Sequence, residues 1–236
     1  MNHDFRDMVS GIAELDLIDR AKYIIRNRIS DSYDEAFSIF SSGAKNNNHE
    51  AEYGLGLMYA RGQFVKKSHI SAKAWFEKAD AGGISNASYF LGKINALGLG
   101  TSKDIAKARK YFLKAANAHD ARAEYELALL YFKNDGIPRD FEESARWMEI
   151  AAKHGNAEAQ FVLGQFYKNG IGTETSIDNC LHWLTCAALN RHKGAQILLG
   201  NMYKIGDGVP KDNDESDMWY DMADGKRNPE DFKMKI

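Results

Sequence analysis

Ala157-Glu-Ala-Gln-Phe-Val-Leu-Gly-Gln-Phe-Tyr-Lys-Asn-Gly-Ile-Gly172 is the stretch on which the rest of the chain turns, because it recurs. Its Leu163–Gly164 pair reappears as Leu55–Gly56, Leu91–Gly92, Leu127–Ala128 and Leu199–Gly200, each step being 36 residues. Trp75, Tyr111, Trp147, Trp183 and Trp219 keep the same interval. Self-similarity at a fixed period of this length is the signature of a stacked repeat array, in which each unit buries its apolar face against its neighbours.

Read physically, one period holds two helices. Counting roughly 100° per residue from Leu55, Ala51, Met58 and Tyr59 share its side, and the equivalent positions in later copies are almost all apolar or small. This is helix A. Gly56, Gly92, Gly164 and Gly200 leave room for a second helix to approach closely. Gly62, Gly98, Asn134, Gly170 and Gly206 stand just past the last periodic residue, where a left-handed residue closes a helix. Ser68, Asp104, Asp140, Ser176 and Asp212 then cap helix B, because their side chains accept from the free amides of a first turn. Helix B is expected to bury Ala72, Trp75 and Ala79 with their equivalents. Asn48, Asp120 and Asn156 are the expected caps of the following A helices.

The period divides the chain into three parts. Residues 1–47 read as a degenerate N-terminal capping pair, Ala13–Arg28 and Tyr33–Lys45, the second opened by a Ser32–Glu35 capping box. Residues 48–224 hold five tandem repeats, and 225–236 form a tail that docks on the open end of the stack or stays loose. The fold class is all-α, an α/α superhelical solenoid of helix-turn-helix repeats.

Composition narrows the function classes. With 44% hydrophobic and 27% charged residues the chain reads as a folded globular protein, and its net charge of −2 offers no general footprint for nucleic acid. Met1–Arg20 carries five acidic residues and no long apolar core, so no secretory leader is expected, and no run is long enough to insert in a membrane. Cys180 and Cys186 lie six apart on one helix and point away from each other, which makes a reduced, cytoplasmic setting the expectation.

The motif Ala-x-x-x-Leu-Gly-x-x-Tyr, then Gly-x-Gly-[Val/Ile]-Pro-[Lys/Arg]-Asp, then Trp-x-x-x-Ala-Ala resembles the Sel-one-like repeat family, relatives of the tetratricopeptide repeats. The resemblance covers residues 48–224. Asn95 in a Tyr slot, Ala128 for Gly and Phe64 for the second loop Gly depart from it, and Asn95 puts a polar group where packing is expected, loosening that copy. The family implies a scaffold that binds other proteins, with signalling adaptors, host-interaction factors and toxin-neutralising immunity proteins among its bacterial members. Three roles follow as expectations: an immunity protein, an adaptor for signalling or assembly, or a receptor for peptides or cell-wall fragments.

A partner is expected on the helix-A face turned away from Leu55, which lines the concave groove in tetratricopeptide-like stacks. Tyr53, Tyr89, Tyr125, Phe161 and Ile197 form a ladder there. The ladder either packs between adjacent A helices or presents an aromatic strip to a partner. Beside it the repeat leaves identities free: Leu57, Lys93, Leu129, Gln165 and Asn201 in one slot, Arg61, Leu97 and Lys133 in another. Apolar and cationic groups in these slots suit an apolar segment bearing acidic groups.

Catalytic and cofactor chemistry finds no foothold in the sequence. Gly98-Leu-Gly-Thr-Ser-Lys103 lacks the Gly-Lys-Ser/Thr order of a phosphate loop and joins two helices. Cys180, His182 and Cys186 are the nearest approach to a metal cluster, with thiols that face apart. His154 reads as a helix C-terminal residue, favourable there without a catalytic role. The expectation is a non-enzymatic protein without a cofactor.

Overall fold

A computed structural model describes residues 16–231. Its regular structure there is twelve α-helices and two short 3₁₀ turns: α1 Leu17–Arg26, α2 Tyr33–Lys45, α3 His49–Arg61, α4 His69–Ala81, α5 Ser85–Leu97, α6 Ile105–Ala116, α7 Ala121–Lys133, α8 Phe141–Lys153, α9 Ala157–Asn169, α10 Ile177–Leu189, α11 Lys193–Ile205 and α12 Asn213–Ala223. Helices α3 to α12 are the A and B helices of five repeats, packed in successive pairs. The chain falls into two compact units, the first ending at Ala118 and the second beginning at His119. Among the described residues no helix is long and apolar enough to cross a membrane.

The local chemistry repeats as faithfully as the sequence. Gly62, Gly98, Asn134, Gly170 and Gly206 all close helix A in the left-handed conformation, with φ between 53° and 78°. The amides of Ser68, Asp104, Asp140, Ser176 and Asp212 donate back to helix A, to the carbonyls of Tyr59, Asn95, Tyr131, Tyr167 and Tyr203, at 2.9–3.0 Å. Their side chains accept from the amides three residues on, as expected of N-caps. Asn48 and Asn156 cap their A helices in the same way, while Asp120 accepts from the Arg122 amide two residues on.

Close approach within each hairpin explains the glycine of the Leu-Gly pair. A Cβ on Gly56 or Gly92 would stand 2.5 Å from the ring of Phe76 or Phe112, and one on Gly164 would stand 2.8 Å from Leu184. The third repeat has Ala128 here and sets Met148 in the facing slot, an unbranched side chain that accommodates the methyl group. Phe76, Phe112, Met148 and Leu184 are each fully buried, and each such side chain contributes roughly 1.5–3 kcal/mol.

Four expectations are corrected. The tryptophan register is not the deepest position of helix B: Trp75, Tyr111, Trp147 and Trp183 are half-buried, the residue after each fills the core, and only Trp219 of the series is buried. Two of these rings keep a polar or cationic contact, with Trp147 Nε1 donating to Glu143 Oε1 at 3.0 Å and Lys78 Nζ 4.3 Å from the Trp75 ring centre. Ser32 makes no capping hydrogen bond, because a 3₁₀ turn over Ser30–Ser32 leads directly into α2, and Glu35 pairs instead with Arg20 at 2.7 Å. Asn95 does not loosen its copy: it is buried and its Nδ2 donates to the Leu91 carbonyl at 2.7 Å. The first helix spans Leu17–Arg26, shorter than expected at its C-terminal end, while Ala13–Leu15 lie outside the described residues.

Phe64 changes nothing in the loop path. It takes the left-handed conformation of the glycines in its slot, with φ of 63°, and its exposed ring lies 5.3 Å from that of Phe37. In the tail, Pro229–Asp231 form a 3₁₀ turn, and Arg191 reaches Asn228 and Glu230 at 3.4 and 3.5 Å.

Candidate functional site

The expected partner face is laid out by helix A within each unit. In the first unit Tyr53 is half-buried, its ring 5.9 Å from Phe76 and 6.1 Å from Phe90. Tyr89 meets Phe90 edge-on at 5.2 Å and has Lys93 Nζ 6.0 Å from its ring centre. Part of the ladder is therefore structural, since Tyr53 bridges α3 and α5. Leu57 is buried (7% exposed), Lys93 half-buried, Arg61 exposed, and Leu97 60% exposed on the last turn of α5.

In the second unit, Tyr125, Leu129 and Lys133 follow one another at turn spacing along α7, the first two half-buried and the third exposed. Burial, with Glu158 and Glu126 nearby, pushes the Tyr125 phenol up to about 12. Phe161 is half-buried and stacks on the His192 ring at 4.4 Å. His192 caps α11 through Nδ1, which accepts from the Ala195 amide at 3.0 Å, while Nε2 faces Glu158 Oε2 at 3.0 Å. Glu158, His192 and Phe161 thus form one contacting group, of which the sequence reading named only Phe161. The signal was present, because His192 occupies the slot filled by Asn48, Asp120 and Asn156. Gln165 is half-buried, and exposed Asn201 accepts from the Tyr220 hydroxyl at 2.7 Å.

Two further features lie on B helices. A cleft of about 660 Å³ in the first unit is lined by Lys107, Lys110, Lys114, Tyr111, Asp80 and Ala106. Lys114 is held there by Asp80, Nζ to Oδ1 at 2.8 Å. In the second unit Cys180 is buried and Cys186 half-buried, and burial pushes both thiols up. Thiols so held are protonated at neutral pH and are weak nucleophiles. Cys186 Sγ lies 3.9 Å from His182 Nε2, while Cys180 is packed in the core of the second unit.

Comparison with known proteins places this geometry. A family model for the Sel1 repeat matches residues 49–79, 85–120, 121–156, 157–192 and 194–223. A Sel1 repeat protein from Oxalobacter formigenes is 30% identical with a TM-score of 0.80, over 89% of this chain and 85% of the other. A protective antigen with an SLR fold from uropathogenic Escherichia coli is 26% identical with a TM-score of 0.77, over 89% of this chain and 49% of the other. An immunity protein from Pseudomonas aeruginosa shares the fold at 16% identity, with a TM-score of 0.58 over 90% of this chain and 84% of the other. No curated protein was found to match. Five matched copies, each with its left-handed helix-A stop and capped helix B, decide the assignment: the chain belongs to the Sel1 repeat family.

Proposed function

We propose that this chain, a Sel1 repeat scaffold of the kind that binds other proteins, recognises one partner protein through the helix-A face and is not an enzyme. The observation that carries the reading is the contrast within that face. The repeat holds its slots in constant geometry, yet Lys93, Leu129, Gln165 and Asn201, or Arg61, Leu97 and Lys133, differ from copy to copy. Packing does not demand these identities, so they are free to serve recognition. Half-buried aromatic rings beside exposed leucine and lysine are the composition of an interface anchor with a polar rim. The partner segment is apolar with acidic groups, meeting half-buried Leu129 beside exposed Lys133 on the helix-A face of the second unit.

The partner class we propose is a toxin that the chain neutralises. Support comes from the fold shared with a protein described as an immunity protein and from the suitability of repeat-specific side chains for one dedicated partner. The test is affinity capture of tagged protein from its native lysate, with a folded Tyr125→Ala/Leu129→Glu/Lys133→Glu variant as control. One stoichiometric partner is expected, lost in the variant, and its expression is toxic unless the unmodified chain is co-expressed. Equal capture by the variant overturns the face, and a harmless partner overturns the immunity role.

A further inference from the structure

Near the start of every helix A the repeats place a buried polar residue: Glu52, Ser88, Glu124, Gln160 and Gln196. In the fourth repeat the arrangement is neutral. Gln160 Nε2 donates to the Ala152 carbonyl at 3.0 Å, and its Oε1 accepts from Asn190 Nδ2 at 2.9 Å. In the third repeat the same two slots hold Glu124 and His154, with Nδ1 of His154 2.8 Å from both carboxylate oxygens. A third ionisable group joins them. His119 takes the left-handed conformation, φ 60°, in a slot filled by Gly83 and Gly155 in adjacent repeats. Repeat packing requires neither imidazole, since Asn190 and Gly155 fill the corresponding places.

The three side chains converge. One ligand atom from each of His119, Glu124 and His154 lies within 4.8 Å of the others. The two imidazole centres are 5.3 Å apart and their planes cross at 79°. Two imidazoles bound to one tetrahedral ion at about 2.0–2.1 Å bring their ring centres to about 5 Å of each other. Glu124 is 1% exposed whereas both histidines reach solvent, so the carboxylate forms the floor of a site open outward.

We infer that His119, Glu124 and His154 bind one divalent transition-metal ion of the zinc class, with solvent completing its coordination. Two imidazoles and a carboxylate suit zinc, whereas calcium and magnesium take oxygen ligands. The ion also balances a carboxylate taken out of water. Because His119 precedes α7 and His154 ends α8, the ion staples the open end of that hairpin and stabilises the second unit. The first repeat supplies an internal contrast: among the described residues buried Glu52 meets one histidine, His49, at 2.8 Å.

The test is a titration of chelator-treated full-length protein with zinc sulfate, followed by calorimetry and thermal unfolding, with cobalt(II) as a visible-absorption probe. Each ligand is removed using the residue that neighbouring repeats carry in its slot: His119→Gly, Glu124→Gln and His154→Asn. These variants keep the backbone and the hydrogen-bonded seam. One equivalent of zinc is expected in the unmodified protein, raising the melting temperature by several degrees, with uptake falling on acidification because a ligating imidazole must be neutral. Binding is lost in His119→Gly and His154→Asn and kept in Cys186→Ser. No uptake by the unmodified protein overturns the assignment, as does equal uptake by those two histidine variants.

Discussion

The interior of each hairpin and the seam between hairpins are both buried, yet the repeats treat them in opposite ways. Inside the hairpin one solution is copied along the chain: a glycine or alanine on helix A faces one large apolar side chain on helix B, as with Gly92 and Phe112 or Gly164 and Leu184. At the seam a buried polar residue is always present, but its partners change. Ser88 turns across the seam to Asp80, Gln160 to Ala152 and Gln196 to Ala188, whereas Glu124 meets His154, and Gln160 also Asn190, at the end of its own hairpin. Shape complementarity permits few answers, because interiors are close-packed and a methyl group is felt. Hydrogen-bond satisfaction permits many, because any donor–acceptor pair that spans the gap suffices. Copy-specific chemistry therefore collects at the seam.

The sharpest way to break this contrast is to empty a hairpin. Phe112 is fully buried against Gly92, which cannot move to fill the space. Phe112→Ala is expected to cost about 3–5 kcal/mol, read as a lowered urea midpoint. A loss below about 1 kcal/mol would show that the hairpin interior tolerates as much variation as the seam.

A seam substitution ranks next. Gln160→Ala leaves Asn190 Nδ2 without its acceptor and takes one donor from the Ala152 carbonyl, which keeps the Gly155 amide. The expected cost is about 1–3 kcal/mol by the same denaturation measurement. Adding Asn190→Ala to that variant should recover part of the loss, since it removes one stranded donor. A second substitution that only adds to the loss would mean that Asn190 contributes by packing.

These contrasts also explain what the sequence made legible. Helix-A stops and helix-B caps could be read directly, because a left-handed residue and a first-turn acceptor each admit few residue types at one position. Gly62 to Gly206 and Ser68 to Asp212 show this in every repeat. Ser32 misled because the same Ser-x-x-Glu pattern lies behind a 3₁₀ turn, whose backbone takes over the work of the cap. The tryptophan slot misled for a different reason. An aromatic ring recurs in that slot without being the deepest residue of the helix in the first four repeats, while the core slot beside it drifts through Phe, Phe, Met and Leu, being bound only by volume. On the candidate partner face, the ladder and the variable slots could be named from periodicity. The contacts of Glu158 and Phe161 with His192 join neighbouring repeats, and their mark in the sequence is a histidine standing in a helix-A cap slot. His119, Glu124 and His154, spaced 5 and 30 residues apart, are likewise marked only by their departure from the slots they occupy.

The smallest expected effect tests whether the slot departed from by Asn95 matters electrostatically as well as sterically. Tyr203 stands in that slot in the last repeat, and burial, then the charges of Glu215 and Asp212, raise its phenol above the ordinary value of 10.0. Tyr167, in the fourth repeat, is raised by burial and then Glu149. A phenol raised on folding binds its proton more tightly in the native state, so the associated stability is complete below about pH 10 and is lost as pH rises through the native value. Tyr203→Phe should therefore flatten part of the decline in stability above about pH 10 and leave the neutral-pH value little changed. Urea unfolding at neutral and alkaline pH measures both. An unaltered alkaline slope would assign the decline to Tyr111, Tyr125 and Tyr167, whose phenols are raised by burial as well. In the second repeat Asn95 carries no phenol and answers the slot with a hydrogen bond to Leu91, so Asn95→Phe should leave the alkaline slope unchanged.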